Sequence, residues 1–360
     1  MTLEVQALQD AVKTAATVQP TGAGTKNALR SNSAVHRLDL TKLSGIIEHQ
    51  PSEFIITTWA GTPIAQVQTV LGEKGQYLPF DPLLAEAGAT VGGTVAANAS
   101  GPERYRYGGV RDFIIGCHFI DGNGELLHGG GKVVKNAAGF DYPKLFVGSM
   151  GTLGALVDVT FKVFPAPEAY ATLVVPCDSL EHALTLLPKL TNSPYDINAI
   201  DLHPASPHSQ PPPLQGRGDR ILIRVGGLAA GLPQRMDRVR ALCNGGDVID
   251  GTHESAMWRE AREFLWAEPN AQVLKVPITP SRIPALDGAL GDLQRHYSVG
   301  GNVAWIAAPP DHALDALLSS LKLSGVVLRN GTGALHIGTR ARNAFADRVK
   351  RALDPLNKFS

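Results

Sequence analysis

Glycine is concentrated at three separated places in the first half of the chain, each bordered by small or hydroxyl-bearing residues. The clusters lie at residues 20–25, 88–101 and 139–154. Glycine lets a backbone approach a ligand closely and adopt positive φ, so that several N–H groups can converge on one anion. Three such turns predict one extended, phosphorylated ligand held by backbone from several loops, and a dinucleotide fits that description.

Two familiar phosphate-binding patterns do not occur in the sequence. Gly22 and Gly24 form G-x-G, but Asn27 stands where a Rossmann fingerprint needs its third glycine, and no helix start follows. The pattern G-x-x-x-x-G-K-[ST] is missing as well, so a P-loop NTPase is unsupported.

Seven ordered segments resemble the FAD-binding domain of the vanillyl-alcohol-oxidase and p-cresol-methylhydroxylase (PCMH) type. They are residues 20–25, 59–63, 80–82, 90–94, 97–101, 104–112 and 135–141, the last continued by 144–154. The resemblance covers about residues 5–168 and implies FAD as the cofactor. Within the family, the length, the segment 135–145 and the tail 352–359 are most similar to FAD-binding subunits of bacterial glycolate oxidases.

The resemblance implies an α+β fold in three parts. A two-subdomain PCMH-type FAD-binding domain is expected over residues 1–168. A smaller α+β cap domain, like the C-terminal domain of FAD-linked oxidases, is expected over 169–340, with a proline-rich loop at 204–220. A helix and tail at 341–360 are expected to return to the FAD domain.

Capping patterns predict where particular helices begin. Thr62 is expected to cap a helix with Pro63 in its first position. Asp178, with Glu181 three residues later, is expected to cap a second helix.

Motif and resemblance together predict the cofactor contacts. The pyrophosphate is expected at the backbone of residues 20–25, the ribose or phosphate at Gly92 and Gly93, and hydroxyl donors at Thr90 and Thr94. The full predicted set is Pro20, Thr21, Gly22, Ala23, Gly24, Thr25, Pro82, Thr90, Val91, Gly92, Gly93, Thr94, Ala97, Asn98, Ser100, Gly101, Arg104, Asp141, Gly148, Gly151 and Leu153.

Each of these residues also has a plain structural explanation. Residues 20–25 could form an ordinary type II turn, and Thr90 could simply cap a helix. Arg104 could be a solvated surface arginine, and Asp141 a helix cap or turn former. Many relatives attach FAD covalently through a histidine near the pyrophosphate loop, but Thr25 and Lys26 stand there, so non-covalent FAD is expected.

Catalytic residues are not identified by the sequence. Oxidation of a 2-hydroxy acid needs a cation for the carboxylate and a base for the hydroxyl proton. His336 resembles the single histidine of a Gly-x-Leu-His strand in relatives with a metal site, and it is a weak catalytic candidate. The companion His-x-His pair is missing, since His203 and His208 flank prolines, and no metal is expected. His336 could equally be an ordinary strand histidine.

The resemblance implies a FAD-dependent oxidoreductase of glycolate or another 2-hydroxy acid, active within a complex. Cys117, Cys177 and Cys243 are too few for an iron–sulfur cluster. The expected partners are therefore a larger flavin subunit and an iron–sulfur subunit. Two alternatives stay open: a non-catalytic FAD-binding or assembly subunit, and a related D-lactate dehydrogenase.

Composition and hydropathy indicate which partners and which location to expect. Lys plus Arg and Asp plus Glu each total 33, which argues against a nucleic-acid partner. The apolar stretches are shorter than a membrane span requires, and the start of the chain lacks the features of a signal peptide. The expected location is cytoplasmic, with peripheral association at the inner membrane face through a partner left open.

Overall fold

A computed structural model describes residues 2–29, 35–131, 141–205, 218–340 and 343–359. The strand expected at 132–134, the motif at 135–140, most of the loop at 204–220 and His208 lie outside the described residues.

The chain divides into two compact units. The first comprises Met1–Gly101, Gly108–Ala166 and Ala341–Ser360, and the second comprises Pro102–Tyr107 and Pro167–Arg340. Two segments therefore belong to a unit from which they are distant in sequence: 102–107 and the C-terminal segment.

Most elements up to residue 165 are short helices and strands. In chain order they are α1 Leu3–Thr14, β1 Val18–Thr21, β2 His36–Asp39, β3 Ile46–Gln50, β4 Ile55–Trp59, α2 Ile64–Gly72, β5 Gln76–Tyr77, α3 Val91–Ala96, α4 Arg104–Tyr107, α5 Val110–Phe113, β6 Ile114–Ile120, β7 Leu126–Gly130, α6 Tyr142–Phe146, β8 Ala155–Lys162 and β9 Phe164–Pro165.

The later elements are longer. They are β10 Ala169–Cys177, α7 Leu180–Thr191, β11 Ala199–His203, β12 Asp219–Gly227, α8 Leu232–Leu242, β13 Asp247–Asp250, α9 Gly251–Glu263, β14 Gln272–Pro277, α10 Ile283–Leu290, β15 Gln294–Ser298, β16 Val303–Ala308, α11 Leu314–Ser320, β17 Ser324–Arg329, β18 His336–Gly338 and α12 Ala344–Leu353.

The first unit is built around a sheet with the strand order β3-β4-β8-β6-β7, and β1 pairs in parallel with β2 beside it. Helix α1 contributes Val5, Leu8 and Val12 to a core cluster that also contains Phe359 near the chain end. Leu3, expected on the apolar face of α1, is 86% exposed. Burial of Phe359 gives the C-terminal tail a hydrophobic anchor in this unit.

The second unit is built around one antiparallel sheet with the strand order β13-β10-β12-β11-β15-β16-β14-β17-β18. Its strands β12, β14 and β16 are buried along most of their length. Strands covered on both faces read as continuous apolar runs, which explains why the segments near 221–225 and 303–307 are recognisable from sequence.

A buried ion cluster joins elements of the second unit. Arg224 on β12 donates from Nε to Glu254 at 2.7 Å and from Nη1 to Glu103 at 2.9 Å. Its guanidinium also stacks over the Tyr170 ring at 3.8 Å. Burial opposes the charge of Arg224, but the two carboxylates outweigh burial and raise its pKa. Glu103 thereby ties residues 102–107 to this unit.

Two predicted helix caps are wrong, and each is displaced by one residue. Pro63 occupies the N-cap of α2, while the Thr62 hydroxyl donates to the carbonyl of Trp59 at 2.7 Å. Ser179 caps α7 by accepting the His182 N–H, and Asp178 precedes it. In both cases neighbouring residues could serve, and backbone direction decides between them.

Several elements escape the sequence patterns. The apolar residues 113–120 predict one strand, but Phe113 ends helix α5 and strand β6 begins at Ile114. Strands β3, β13 and β15 and helices α9 and α10 are not predicted from the sequence. Phe345, expected on the apolar face of the last helix, is 57% exposed. No helix in the described residues is both long enough and apolar enough for a membrane crossing.

Candidate cofactor site

A cavity in the first unit is lined by residues of all three glycine clusters, the second of which contains the start of α3. It encloses about 800 Å³ of empty space, a total that includes open solvent. Its lining residues are Gln19, Pro20, Thr21, Gly22, Ala23, Gly24, Thr25, Lys26, Leu40, Ala60, Thr90, Gly92, Gly93, Ala96, Phe146, Ser149, Met150, Gly151, Gly154 and Leu156.

The loop at 20–25 leaves β1 and forms one wall. Gly24 has φ +77°, a left-handed conformation that favours glycine. Glycine is required at position 22 for a steric reason, since a Cβ there would lie 2.3 Å from the Thr90 hydroxyl oxygen. Among the described residues, no acceptor is hydrogen-bonded to the backbone N–H of Gly22, Ala23 or Gly24. These donors can therefore serve a ligand.

The start of α3 forms a second wall, and its N–H groups are engaged within the protein. Thr90 caps the helix, its hydroxyl accepting the Gly93 N–H at 3.3 Å. The Gly92 N–H donates to the carbonyl of Ala60 at 2.7 Å. A Cβ on Gly92 would lie 3.0 Å from that of Ala60. Gly92 thus allows α3 to pack closely beside β4.

The loop at 148–154 forms the third wall. Gly148, Met150 and Gly151 have φ values of +82°, +55° and +80°. Hydrogen bonds from Gly148 N–H to Val95 and from Met150 N–H to Ala96 fasten the loop to α3. Glycine adopts this conformation freely, so only Met150 carries a strain cost, which its bond to Ala96 helps to offset.

The cavity contains a buried hydroxyl and a buried ammonium. The Ser149 hydroxyl oxygen is buried and has no hydrogen-bond partner among the described residues. Lys26 is 6% exposed, and its ammonium donates to the Thr25 hydroxyl at 3.2 Å. A cation, a hydroxyl and convergent N–H groups fit a phosphate, and the apolar Phe146, Met150 and Leu156 beside them fit a ring system.

The cavity therefore brings together part of the predicted set. The predicted residues that line it are Pro20, Thr21, Gly22, Ala23, Gly24, Thr25, Thr90, Gly92, Gly93 and Gly151. The predicted residues outside its lining are Pro82, Val91, Thr94, Ala97, Asn98, Ser100, Gly101, Arg104, Asp141, Gly148 and Leu153.

Some of the outlying residues have structural roles. Ser100 is buried, and its hydroxyl accepts the Val110 N–H at 3.0 Å. Asp141 caps α6 by accepting the Lys144 N–H and pairs with that lysine's ammonium at 3.0 Å. Arg104 lies on α4 in the second unit, where its charge, after burial, helps lower the pKa of Lys275 to about 7.

His336 lies on β18, next to β17 at the edge of the second sheet. The residue is exposed at the surface of the unit. Its pKa is lowered, mainly because the imidazole is partly desolvated and secondly because of the charge of Arg340. Within the described ranges, no group of three or more His, Cys, Asp or Glu side chains could hold a metal ion.

The sequence-based set missed several lining residues, notably Lys26, Phe146, Ser149 and Met150. Ser149 and Met150 lie inside the segment 144–154 that carries the family resemblance. Including every residue of the loop at 148–154 in the predicted set would have found both. Lys26 carried no such signal, because a lysine at the end of a loop is ordinarily solvated.

Comparison with known proteins agrees with this geometry. Residues 4–130 match the family model described as FAD binding domain. The glycolate oxidase subunit GlcE of Escherichia coli is 37% identical over 195 residues, 54% of each chain. The glycolate oxidase subunit GlcD of Bacillus subtilis is 28% identical over 281 residues, 71% of this chain and 58% of the relative. A D-lactate dehydrogenase of Anaerostipes hadrus is 32% identical over 152 residues, 42% of this chain and 32% of the relative.

The fold also matches a solved structure. An alkyldihydroxyacetonephosphate synthase superposes with a TM-score of 0.71 at 16% identity, covering 99% of this chain and 73% of the other. The protein therefore carries a PCMH-type FAD-binding domain within an α+β fold, and FAD is its cofactor, as expected. The chain spans little more than half the length of the two glycolate oxidase subunits and a third of the D-lactate dehydrogenase.

Proposed function

We propose that this chain is the FAD-binding subunit of a complex that oxidises glycolate, a 2-hydroxy acid, to glyoxylate. The observation that carries the proposal is the glycine-lined cavity of the first unit, where the N–H groups of Gly22, Ala23 and Gly24 meet no acceptor among the described residues. The similarity to glycolate oxidase subunits supports the substrate class.

The residues of the cavity have distinct roles in this proposal. Backbone N–H groups of residues 22–24 bind the pyrophosphate of non-covalent FAD, and the ammonium of Lys26 balances its charge. The Ser149 hydroxyl donates to the cofactor from the opposite loop. When bound, FAD would supply a hydride acceptor for oxidation of the hydroxyl-bearing carbon.

Partners follow from the fate of the electrons. We infer a larger flavin subunit and an iron–sulfur subunit, because the relatives are named as subunits of glycolate oxidases. Cys117, Cys177 and Cys243 are buried, and burial raises the pKa of each thiol. They are therefore poor thiolate donors to a cluster. We place the complex in the cytoplasm, with membrane association only through partners.

Two alternatives are supported by particular observations. The family model matches residues 4–130, about a third of the chain, and its description refers to FAD binding alone, which favours an FAD-binding or assembly subunit without its own turnover. The similarity to a D-lactate dehydrogenase favours D-lactate as the substrate.

The absorption spectrum of the purified chain tests these proposals. We expect a flavin spectrum with about one FAD per chain, and a yellow supernatant with a colourless pellet after acid precipitation. A colourless protein that takes up no FAD would refute cofactor binding, and flavin in the pellet would refute non-covalent attachment. Bleaching by glycolate or by D-lactate would identify the substrate and show that the single chain reacts. An unchanged spectrum would favour the assembly alternative or a need for partners.

A further inference from the structure

The C-terminal segment connects two walls of the cofactor cavity through one lysine. The Lys350 ammonium on α12 donates to the carbonyl of Thr152 at 2.7 Å and to that of Phe359 at 2.6 Å. Its remaining donor meets the carboxylate of Asp354. An ammonium has three donors, and here each has an acceptor.

The first carbonyl belongs to the loop at 148–154. Thr152 follows Ser149, Met150 and Gly151, which line the cavity. The left-handed backbone of Met150 in this loop is strained and depends on contacts outside the loop. Toward α3 these contacts are the Gly148 and Met150 N–H groups, and toward the chain end the contact is Lys350.

The second carbonyl belongs to a tail that adjoins β1. The Val18 N–H donates to the carbonyl of Lys358 at 2.7 Å, and Val18 bridges Phe359 in parallel. Strand β1 leads directly into residues 20–25. The two loops also approach each other directly, since a Cβ on Gly151 would lie 3.6 Å from the Pro20 ring.

The tail itself is firmly held. The buried Asp354 carboxylate accepts the N–H groups of Lys358 and Phe359, both at 2.8 Å. The Phe359 ring is 1% exposed in the core of the first unit. The Lys358 ammonium donates to the carbonyls of Val12 and Lys13 at the end of α1, a position that favours a cation.

We propose that Lys350 is a positioning residue for FAD, fixing the loop at 148–154 relative to the loop at 20–25 through the C-terminal tail. The proposal rests on FAD binding in this cavity. Lys350 does not line the cavity, so its effect on the cofactor passes through the carbonyls of Thr152 and Phe359.

The test is Lys350→Met in the full chain, with FAD titrated into apoprotein and followed by flavin fluorescence. Because a charge-assisted hydrogen bond to the loop is lost, we expect the affinity for FAD to fall by about tenfold or more. Lys350→Gln keeps one donor group and should lie between wild type and Lys350→Met; it replaces the Met variant if that fails to fold.

Two controls separate positioning from general stability. Val67→Ala truncates a buried residue of α2 that does not line the cavity, so it should lower the apoprotein Tm with FAD affinity kept. Arg351→Met changes an exposed residue of the same helix and should leave both unchanged.

The outcomes are distinguishable. Weaker FAD binding by Lys350→Met, at an apoprotein Tm no lower than that of Val67→Ala, supports the proposal. Wild-type affinity in Lys350→Met refutes it, as does equal weakening by Val67→Ala at the same Tm. Failure of the wild-type chain to bind FAD would refute cofactor binding itself, and the role of Lys350 with it.

Discussion

At the scale of single residues, the glycines around the cavity have two structural roles. Gly22 and Gly92 keep space free, because side chains there would meet Thr90 or Ala60. Gly24 and Gly151 instead hold left-handed backbone. The sequence predicts both groups in the same way, as glycines of ligand-binding turns, because composition does not distinguish a packing requirement from a requirement for positive φ.

This division predicts the result of replacing Gly24. Gly24→Val places a β-branched residue at φ +77°, costing on the order of 1–2 kcal/mol of backbone strain, and it crowds the N–H groups that we propose as the pyrophosphate site. We expect loss of FAD with the fold largely kept, measured by flavin content after purification and by far-UV circular dichroism.

Gly75→Val is the matched control for that variant. Gly75 has φ +64° with open space around a Cβ and does not line the cavity, so its replacement adds comparable strain but should leave FAD bound. Unchanged FAD content in Gly24→Val would mean that residues 20–25 form an ordinary turn.

At the scale of elements, the sequence predicts what has a local cause. The buried strand β4, the helix α2 after it and the cap at Thr90 follow from neighbouring residues. Strand β13 escapes because it is a short edge strand with exposed residues, which gives no clear periodicity. The strained loop at 148–154 was recognised by motif, but its left-handed Met150 depends on a bond to Ala96 that no local pattern encodes.

Adjacent strands of the second sheet bring two histidines together in a way that predicts acid sensitivity. His203 on β11 and His296 on β15 stack with ring centroids 5.1 Å apart, and Trp266 packs edge-on against His296. Burial lowers the pKa of His296 to about 3, and burial, His296 and Arg220 lower that of His203 well below its usual range.

The sign of the effect follows from proton uptake. An unfolded histidine binds a proton near pH 6.5, whereas folded His296 does so only near 3. Between these values the unfolded chain binds more protons than the folded chain. The stability that neutral His296 contributes is therefore fully present above about pH 6.5 and is lost as the pH falls toward 3. We expect His296→Phe to lose less stability than wild type between pH 7 and pH 5.

Urea unfolding followed by tryptophan fluorescence measures this difference, because Trp258, Trp266 and Trp305 all lie in the second unit. His253→Phe, which removes an exposed histidine of the same unit, is the control. Equal acid sensitivity in wild type and His296→Phe would show that the stacked pair does not determine it.

At the scale of the whole molecule, the chain crosses between its units more often than the sequence suggests. Residues 102–107 sit in the second unit, tied by Glu103 to Arg224, 121 residues away. Lys350 reaches back 198 residues to Thr152. Such contacts have no local signature. The resemblance implied that the tail returns to the FAD domain, but it did not identify the lysine that bonds to a cavity loop.

The last prediction concerns the proposed complex. In that proposal electrons pass from the flavin to an iron–sulfur cluster, and the buried thiols of this chain are poorly suited to form one. We expect the purified chain alone to show little or no glycolate-dependent dye reduction. Co-expression with a larger flavin subunit and an iron–sulfur subunit should restore it, and the three chains should co-purify. Omission of each partner in turn gives the control. Full turnover by the single chain would contradict the complex, and His336→Ala would then be the first variant to examine.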